Sequence, residues 1–337
     1  MSLETLTQTY RPALEETLRN AVQRAAGADF PELQAMMAYH LGWEGEGAGP
    51  EATGKRIRPI LTLLTTQAAG KKWEHALPAA AAIELIHNFS LIHDDIEDNS
   101  ALRRGRPALW KKWGIPQAIN TGDAMFSLAH LTILSLAESN SMEVTLQAAA
   151  ALQRSCLNLT QGQHLDITYE TERSLPIEAY WPMVGGKTAS LIQACTEIGA
   201  LVAQADAPIR NAYLRFGRNL GLAFQVLDDI LGIWGDSEKL GKSSVSDLVD
   251  GKKSLPVLYG LSQKGEFAAR WVRGPIRPEE VPALAVQLEN EGGRDFAQSE
   301  AARLTDSALA ALDEAQPQGE AGKALRELAG KLLQREV

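Results

Sequence analysis

The chain has 337 residues, a formal net charge of -9 and 45% apolar residues, enough to bury a sizeable core. Its acidic balance argues against nucleic acid as a partner, because phosphate binding on that scale needs an overall basic face. No apolar run reaches eighteen residues, and the polar stretch 1–10 lacks the basic-then-apolar order of a secretion signal, so a cytoplasmic protein without a membrane anchor is expected.

Along the chain, helical signals dominate, with Ala/Leu/Glu/Gln-rich stretches at 77–88, 122–138, 144–159 and 211–231. Alternating Val/Ile/Thr segments between hairpin turns are missing, so the expected fold class is all-α. Breakers at 42–50, 105–107, 114–116, Pro176, Pro182, Gly185-Gly186, Gly235 and Gly251 can separate helices without a second domain, and one domain over 1–337 is expected. The stretch 265–294 is richer in Pro, Gly and charge and reads as an excursion before the last helices. Cys156 and Cys195 have no C-x-x-C spacing and fit reduced, buried thiols.

Small basic groups stand out against the acidic background, at Lys55, Arg56 and Arg58, at Arg103, Arg104 and Arg106, and at Lys252 and Lys253. Isolated basic patches in an acidic protein point to a small polyanionic ligand. The sharpest local feature is the acidic cluster Asp94-Asp95-Ile96-Glu97-Asp98, appended directly to an apolar helix. At about 100° per residue, Asp94 and Asp98 lie about 40° apart and Asp95 about 100° from Asp94, so the three can share one face. Such a face repels itself unless cations neutralise it, and oxygen-only donors suit Mg²⁺ or Mn²⁺ rather than zinc. A solvated acidic helix end is the plainer alternative.

A second acidic pair, Asp228-Asp229, ends the apolar run 220–227. Gly217, Gly221, Gln225 and Asp228 recur at helical spacing and give a face of little bulk with polar ends, which suits a cavity wall. Two acidic clusters on separate helices imply metals that grip a shared polyanion, for which a diphosphate is the natural candidate.

These residues resemble the polyprenyl synthetase family. The resemblance runs nearly the whole chain and is most specific over 54–256: Gly54-Lys55-Arg56-Ile57-Arg58-Pro59, then Asp94-Asp95-Ile96-Glu97-Asp98 with Leu102-Arg103-Arg104-Gly105-Arg106-Pro107, then Gly162-Gln163-His164-Leu165-Asp166, Gly186-Lys187-Thr188, Phe224-Gln225-Val226-Leu227-Asp228-Asp229, and Gly241-Lys242 through Asp247 to Lys252. The resemblance implies the isoprenoid synthase fold, a helical bundle around a deep central cavity, usually a homodimer. Asp94, Asp95 and Asp98 would ligate two magnesium ions and Asp228 a third, with the allylic diphosphate held between. Arg103 would bind that diphosphate, while Lys55, Arg58, His87 and Arg104 would bind isopentenyl diphosphate at a site without metal. His87 lies seven residues before Asp94 and so on the same helical face, although a packed histidine is an equally simple reading. Lys187 could equally be a surface residue, but Gly185-Gly186 before it suggests a local break that turns backbone carbonyls and Lys187 into the cavity.

The implied chemistry is ionisation of an allylic C–O bond, attack by the isopentenyl double bond, and loss of a proton, with Arg103, Lys187, Lys242 and Lys252 on the diphosphates and Thr188 and Gln225 softening the cation. One departure from the family's pattern is Gly232, where a third aspartate usually follows the first by four residues. Either Asp228 and Asp229 suffice for the third metal, with Asp236 linked through water, or that site is weak. Phe89 stands where the resemblance places the chain-length stopper, followed by the small Ser90, and the first motif lacks the two-residue insertion of bacterial farnesyl diphosphate synthases. Together these imply a geranylgeranyl (C20) product, with farnesyl (C15) as the alternative. Ordinary core packing is the plainer role for Phe89. A terpene cyclase or a non-catalytic subunit of a heteromeric synthase would each fit less well, since both aspartate clusters and the isopentenyl-binding basics are kept.

Overall fold

The computed structural model describes residues 2–26, 29–172, 175–235 and 247–333. They form helices α1 (Leu3–Ala26), α2 (Pro31–His40), α3 (Pro50–Thr53), α4 (Ile57–Ala68), α5 (Leu77–Glu97), α6 (Leu109–Trp113), α7 (Ile115–Leu134), α8 (Met142–Thr171), α9 (Tyr180–Val184), α10 (Ser190–Val202), α11 (Ala207–Trp234), α12 (Leu255–Gln263), α13 (Glu266–Trp271), α14 (Val281–Asn290), α15 (Gly293–Glu314) and α16 (Gly319–Leu333). The only strands among the described residues are the two-residue pair β1 (Leu102–Arg103) and β2 (Arg106–Pro107), antiparallel with Arg103 opposite Arg106. The all-α expectation holds. No helix of the described residues is long and apolar enough to cross a membrane.

Two compact units divide the chain: Met1–Gln153, Cys195–Arg210 and Gln316–Leu325 make the first, and Arg154–Ala194, Asn211–Ala315 and Arg326–Val337 the second. The first unit is built on α5 and α7, which pack along their lengths. Small residues make that approach close: Ala79 to Ala82 are fully buried on α5, and a side chain at Gly122 of α7 would run into the ring of His93. Both helices start with Pro in their first two positions, where its missing N–H is no loss, and α7 follows Gly114 at φ +83°. The helices α1, α2, α4 and α6 pack against this pair.

In the second unit α12 packs on α15. Ile233, Leu248, Val257, Phe267, Ile276, Leu284, Ala285 and Leu288 form one buried cluster, so the stretch 265–294 is no loose excursion but folds into α13 and α14 around Phe267. Cys156 and Cys195 are free and buried, and burial pushes their thiols up to about 11 and about 12.

Candidate active site

In the first unit the basic and acidic motifs are locked together by their backbones. Arg103 and Arg104 sit on the β1–β2 hairpin, whose central residues Arg104 and Gly105 both have positive φ (53° and 74°), the geometry of a tight two-residue turn. That turn carries Arg103 back onto the end of α5. Its Nε donates to Asp95 Oδ1 at 2.9 Å, its second guanidinium nitrogen bonds the same oxygen, and Asp94 Oδ2 lies 3.5 Å away. Burial opposes the Arg103 charge, but Asp95, Asp94 and Asp98 outweigh it and raise its pKa. Burial likewise pushes the Asp95 carboxyl up, against the pull of Arg103.

Asp95 is 1% exposed, and its Oδ2 accepts no hydrogen bond from the described residues. An orphaned buried oxygen in an oxygen-only donor set fits a hard divalent cation. Among the described residues no three His, Cys, Asp or Glu side chains converge closely enough to hold an ion alone. Asp98, at the exposed end of α5, is the C-cap residue whose N–H bonds Asp94 O.

The two arginines of the first basic motif do different things. Arg56 is buried at a left-handed φ of 52° and is consumed by Glu15 (2.8 Å), Glu84 (2.7 Å) and Leu41 O (3.1 Å). It therefore anchors the loop and leaves its neighbours to face outward. Lys55 is exposed, while Arg58, one residue into α4, donates to His87 Nε2 at 3.2 Å. Burial, then Arg58, Arg104 and Arg103, holds the His87 imidazole well below its ordinary pKa, so it is neutral and can accept that bond. Arg104 donates to Ala52 O at 2.9 Å, and a side chain at Gly54 would meet its guanidinium at 3.1 Å. Arg58, His87 and Arg104, expected to share one subsite, are thus gathered on the first unit, with Lys55 on the same loop as Gly54.

Phe89 points its ring edge-to-face at His93 (5.0 Å between centroids) and at Phe126 of α7 (5.1 Å). The Ser90 hydroxyl bonds back to His87 O at 2.8 Å.

The second unit carries the other motifs. The Gly185-Gly186 pair does not stop the helix as expected; α9 runs into α10 through a π turn at Gly185–Ala189. The reason is close packing. A side chain at Gly186 would meet Asn158 O at 2.5 Å, and one at Gly162 would meet Met183 O at 2.7 Å, so the widened turn is pressed against α8. Lys187 forms an ion pair with Asp166 of α8, and Thr188 donates to Gln225 Oε1 at 2.7 Å.

Gly221 belongs to the same packing logic rather than to a cavity wall, because a side chain there would meet Ala189 Cα at 2.7 Å. Gln225 donates onward to Asp229 Oδ1 at 2.9 Å. Asp229 also accepts from Tyr180 (2.7 Å) and the Leu255 N–H (3.0 Å), both on Oδ2. Burial pushes its carboxyl up to about 7 against these three bonds. Asp229 thus faces protein, 6% exposed, whereas Asp228 is half-buried one step around α11. Lys252, largely exposed, approaches Asp247 Oδ1 at 3.6 Å. Lys242 and Asp236 lie outside the described residues.

Sequence reasoning missed Glu15 and Glu84 under Arg56, Tyr180 and the α12 N-terminus on Asp229, and Phe126 beside Phe89. A signal existed for Glu84, a lone charge inside the apolar run 77–92. None marked the others.

The sequence model of the family described as "Polyprenyl synthetase" matches residues 49–280. Among curated relatives, a (2E,6E)-farnesyl diphosphate synthase of Mycobacterium tuberculosis is 38% identical over 298 residues, 86% of this chain and 82% of the relative. A geranylgeranyl diphosphate synthase of the same organism is 39% identical over 301 residues, 87% of this chain and 85% of the relative. Among solved structures, a polyprenyl synthase from Caulobacter crescentus complexed with calcium and isoprenyl diphosphate superposes with a TM-score of 0.83 at 30% identity, covering 100% of this chain and 98% of that one. With the basic and acidic motifs placed as described, the chain belongs to the polyprenyl synthetase family and is a prenyltransferase, a trans-prenyl diphosphate synthase.

Proposed function

We propose that the protein condenses isopentenyl diphosphate with allylic diphosphates in a magnesium-dependent reaction whose main product is geranylgeranyl diphosphate, with farnesyl diphosphate as the alternative. The observation that carries the metal dependence is the acidic end of α5, where Arg103 neutralises one oxygen of Asp95 and the other is buried without a hydrogen bond. The calcium and isoprenyl diphosphate named with the Caulobacter structure support a divalent ion beside a diphosphate. Asp94, Asp95, Asp98 and Asp228 are the proposed ligands, for three magnesium ions by analogy with the family, and manganese is an acceptable substitute. When bound, the ions supply Lewis-acid stabilisation of the departing diphosphate.

The chain's own groups do the rest. Arg103, already set beside Asp94 and Asp95, binds the allylic diphosphate, with Lys187 and Lys242 adding positive charge where negative charge develops. Lys55, Arg58, His87, Arg104 and Lys252 bind diphosphate oxygens, and a neutral His87 orients Arg58 by accepting its hydrogen bond. Thr188 and Gln225, joined at 2.7 Å, place oxygen dipoles that soften the allylic cation. Apolar surroundings must exclude water, which would otherwise capture that cation.

The C20 assignment rests on Phe89, whose ring is fixed by edge contacts to His93 and Phe126 rather than free to swing aside. Relatives of both product lengths match equally well and do not separate the alternatives. Incubating the purified protein with labelled isopentenyl diphosphate, magnesium and each of dimethylallyl, geranyl and farnesyl diphosphate tests the reading. A C20 product is expected, and Phe89→Ala should lengthen it by at least one isoprene unit. An unchanged product length in that variant removes Phe89 as the stopper, and no product from any primer removes the catalytic reading. A homodimer is the proposed state, supported by apolar side chains left exposed on α7 (Ile115, Ile119, Leu131, Leu134) and on the first turns of α8 (Met142, Leu146), and the cytoplasm is its proposed location.

A further inference from the structure

Position 232 of α11 carries no side chain, yet its space is filled. A Cβ built there would fall on Oδ2 of Asp247, 2.6 Å from its Cγ and 3.1 Å from its Oδ1, and these are the three nearest heavy atoms. The backbone fixes the same approach, since the Asp247 N–H donates to Gly232 O at 3.2 Å. On either side the neighbours are pinned: Ile233 and Leu248 are both buried in the cluster around Phe267. The carboxylate of Asp247 is therefore seated on the helix surface at the place where a side chain of residue 232 would begin.

Residue 232 follows Asp228 by four positions, which on a helix is the same face one turn on. A carboxylate seated over Gly232 thus stands in relation to Asp228 much as a second acidic side chain on α11 would. Both carboxylates, after burial and Asp229, also contribute to the upward shift of the Tyr180 phenol, so both lie near it.

We propose that Asp247 supplies from outside α11 the second carboxylate of the Asp228 metal face, and that Gly232 is the positioning residue that admits it. The inference rests on the magnesium reading above and deepens it. Sterically, Gly232→Asp does not add a ligand; it evicts the one already present. Residue 232 acts only through Asp247, so the two positions should behave as one.

Mn²⁺ binding to the full chain, followed by electron paramagnetic resonance with and without inorganic pyrophosphate, tests this apart from turnover, together with the thermal midpoint of the metal-free protein. Gly232→Ala and Asp247→Ala are each expected to weaken pyrophosphate-dependent Mn²⁺ binding about tenfold, and the double variant to bind no worse than Asp247→Ala alone, because coupled sites do not add. Gly232→Ala should also lower the metal-free midpoint, and Asp247→Ala should relieve that loss in the double variant. Should Gly232→Ala fail to fold, the double variant folds if the carboxylate is the obstacle. The proposal is overturned if Gly232→Ala binds Mn²⁺ as the wild type does, if the two losses add, or if removing the Asp247 carboxylate brings no relief. A wild type that binds no Mn²⁺ even with pyrophosphate overturns the magnesium reading itself and this inference with it.

Discussion

Arg56 and Arg58 are two residues apart in one motif, and their fates differ because one is enclosed by carboxylates and the other is not. Arg56 has a fully buried side chain matched by Glu84, itself 3% exposed, and by the partly exposed Glu15. Removing one member of such a pair leaves a buried charge uncompensated, which costs about 3–5 kcal/mol. Arg56→Ala should accordingly lower the unfolding free energy measured by denaturant titration by that amount, and Glu84→Gln should recover part of the loss in the double variant. Asp95 shows the opposite economy, a buried carboxylate deliberately left with one idle oxygen. Asp95→Ala should lower turnover by at least about 100-fold at saturating magnesium, comparable to losing a major electrostatic stabiliser. Turnover near the wild-type rate would sink its assignment.

At the scale of elements, the helices were legible because their apolar periodicity and Ala-rich runs are local properties. The π turn at Gly185–Ala189 was not. Two glycines in a row read as a break, and only the pressure of α8 on Gly186 and of α11 on Ala189 explains why the helix widens and continues. Gly221 differs from its sequence expectation for the same reason: a small residue on an apolar helix serves a cavity or a close crossing equally well until the neighbour is known. Gly221→Val should therefore act as overpacking, destabilising the protein by about 1–3 kcal/mol. It should also lower activity through displaced Lys187 and Thr188, readable as a fall in kcat at unchanged expression. Full activity with unaltered stability would show that the crossing tolerates bulk.

For the whole molecule, the apolar residues left exposed on α7 and on the start of α8 are the feature that a lone chain does not explain. Light scattering of the purified protein should return twice the chain mass, and Leu131→Glu with Leu146→Glu should shift it toward the monomer. A monomeric wild type at micromolar concentration would refute the proposed dimer.

By itself the sequence determined the helical class, the family and the inventory of charged groups, since periodicity, motif order and side-chain chemistry are written residue by residue. The tertiary structure alone decided which member of each like-charged pair is buried and which is partly exposed: Arg56 against Arg58, Asp229 against Asp228. Successive helical residues point about 100° apart, so neighbours in a motif face different surroundings, and those surroundings come from distant parts of the chain. The carboxylate of Asp247 resting over Gly232 is the same lesson in its plainest form, an acidic group delivered to a helix face by a segment that follows the helix.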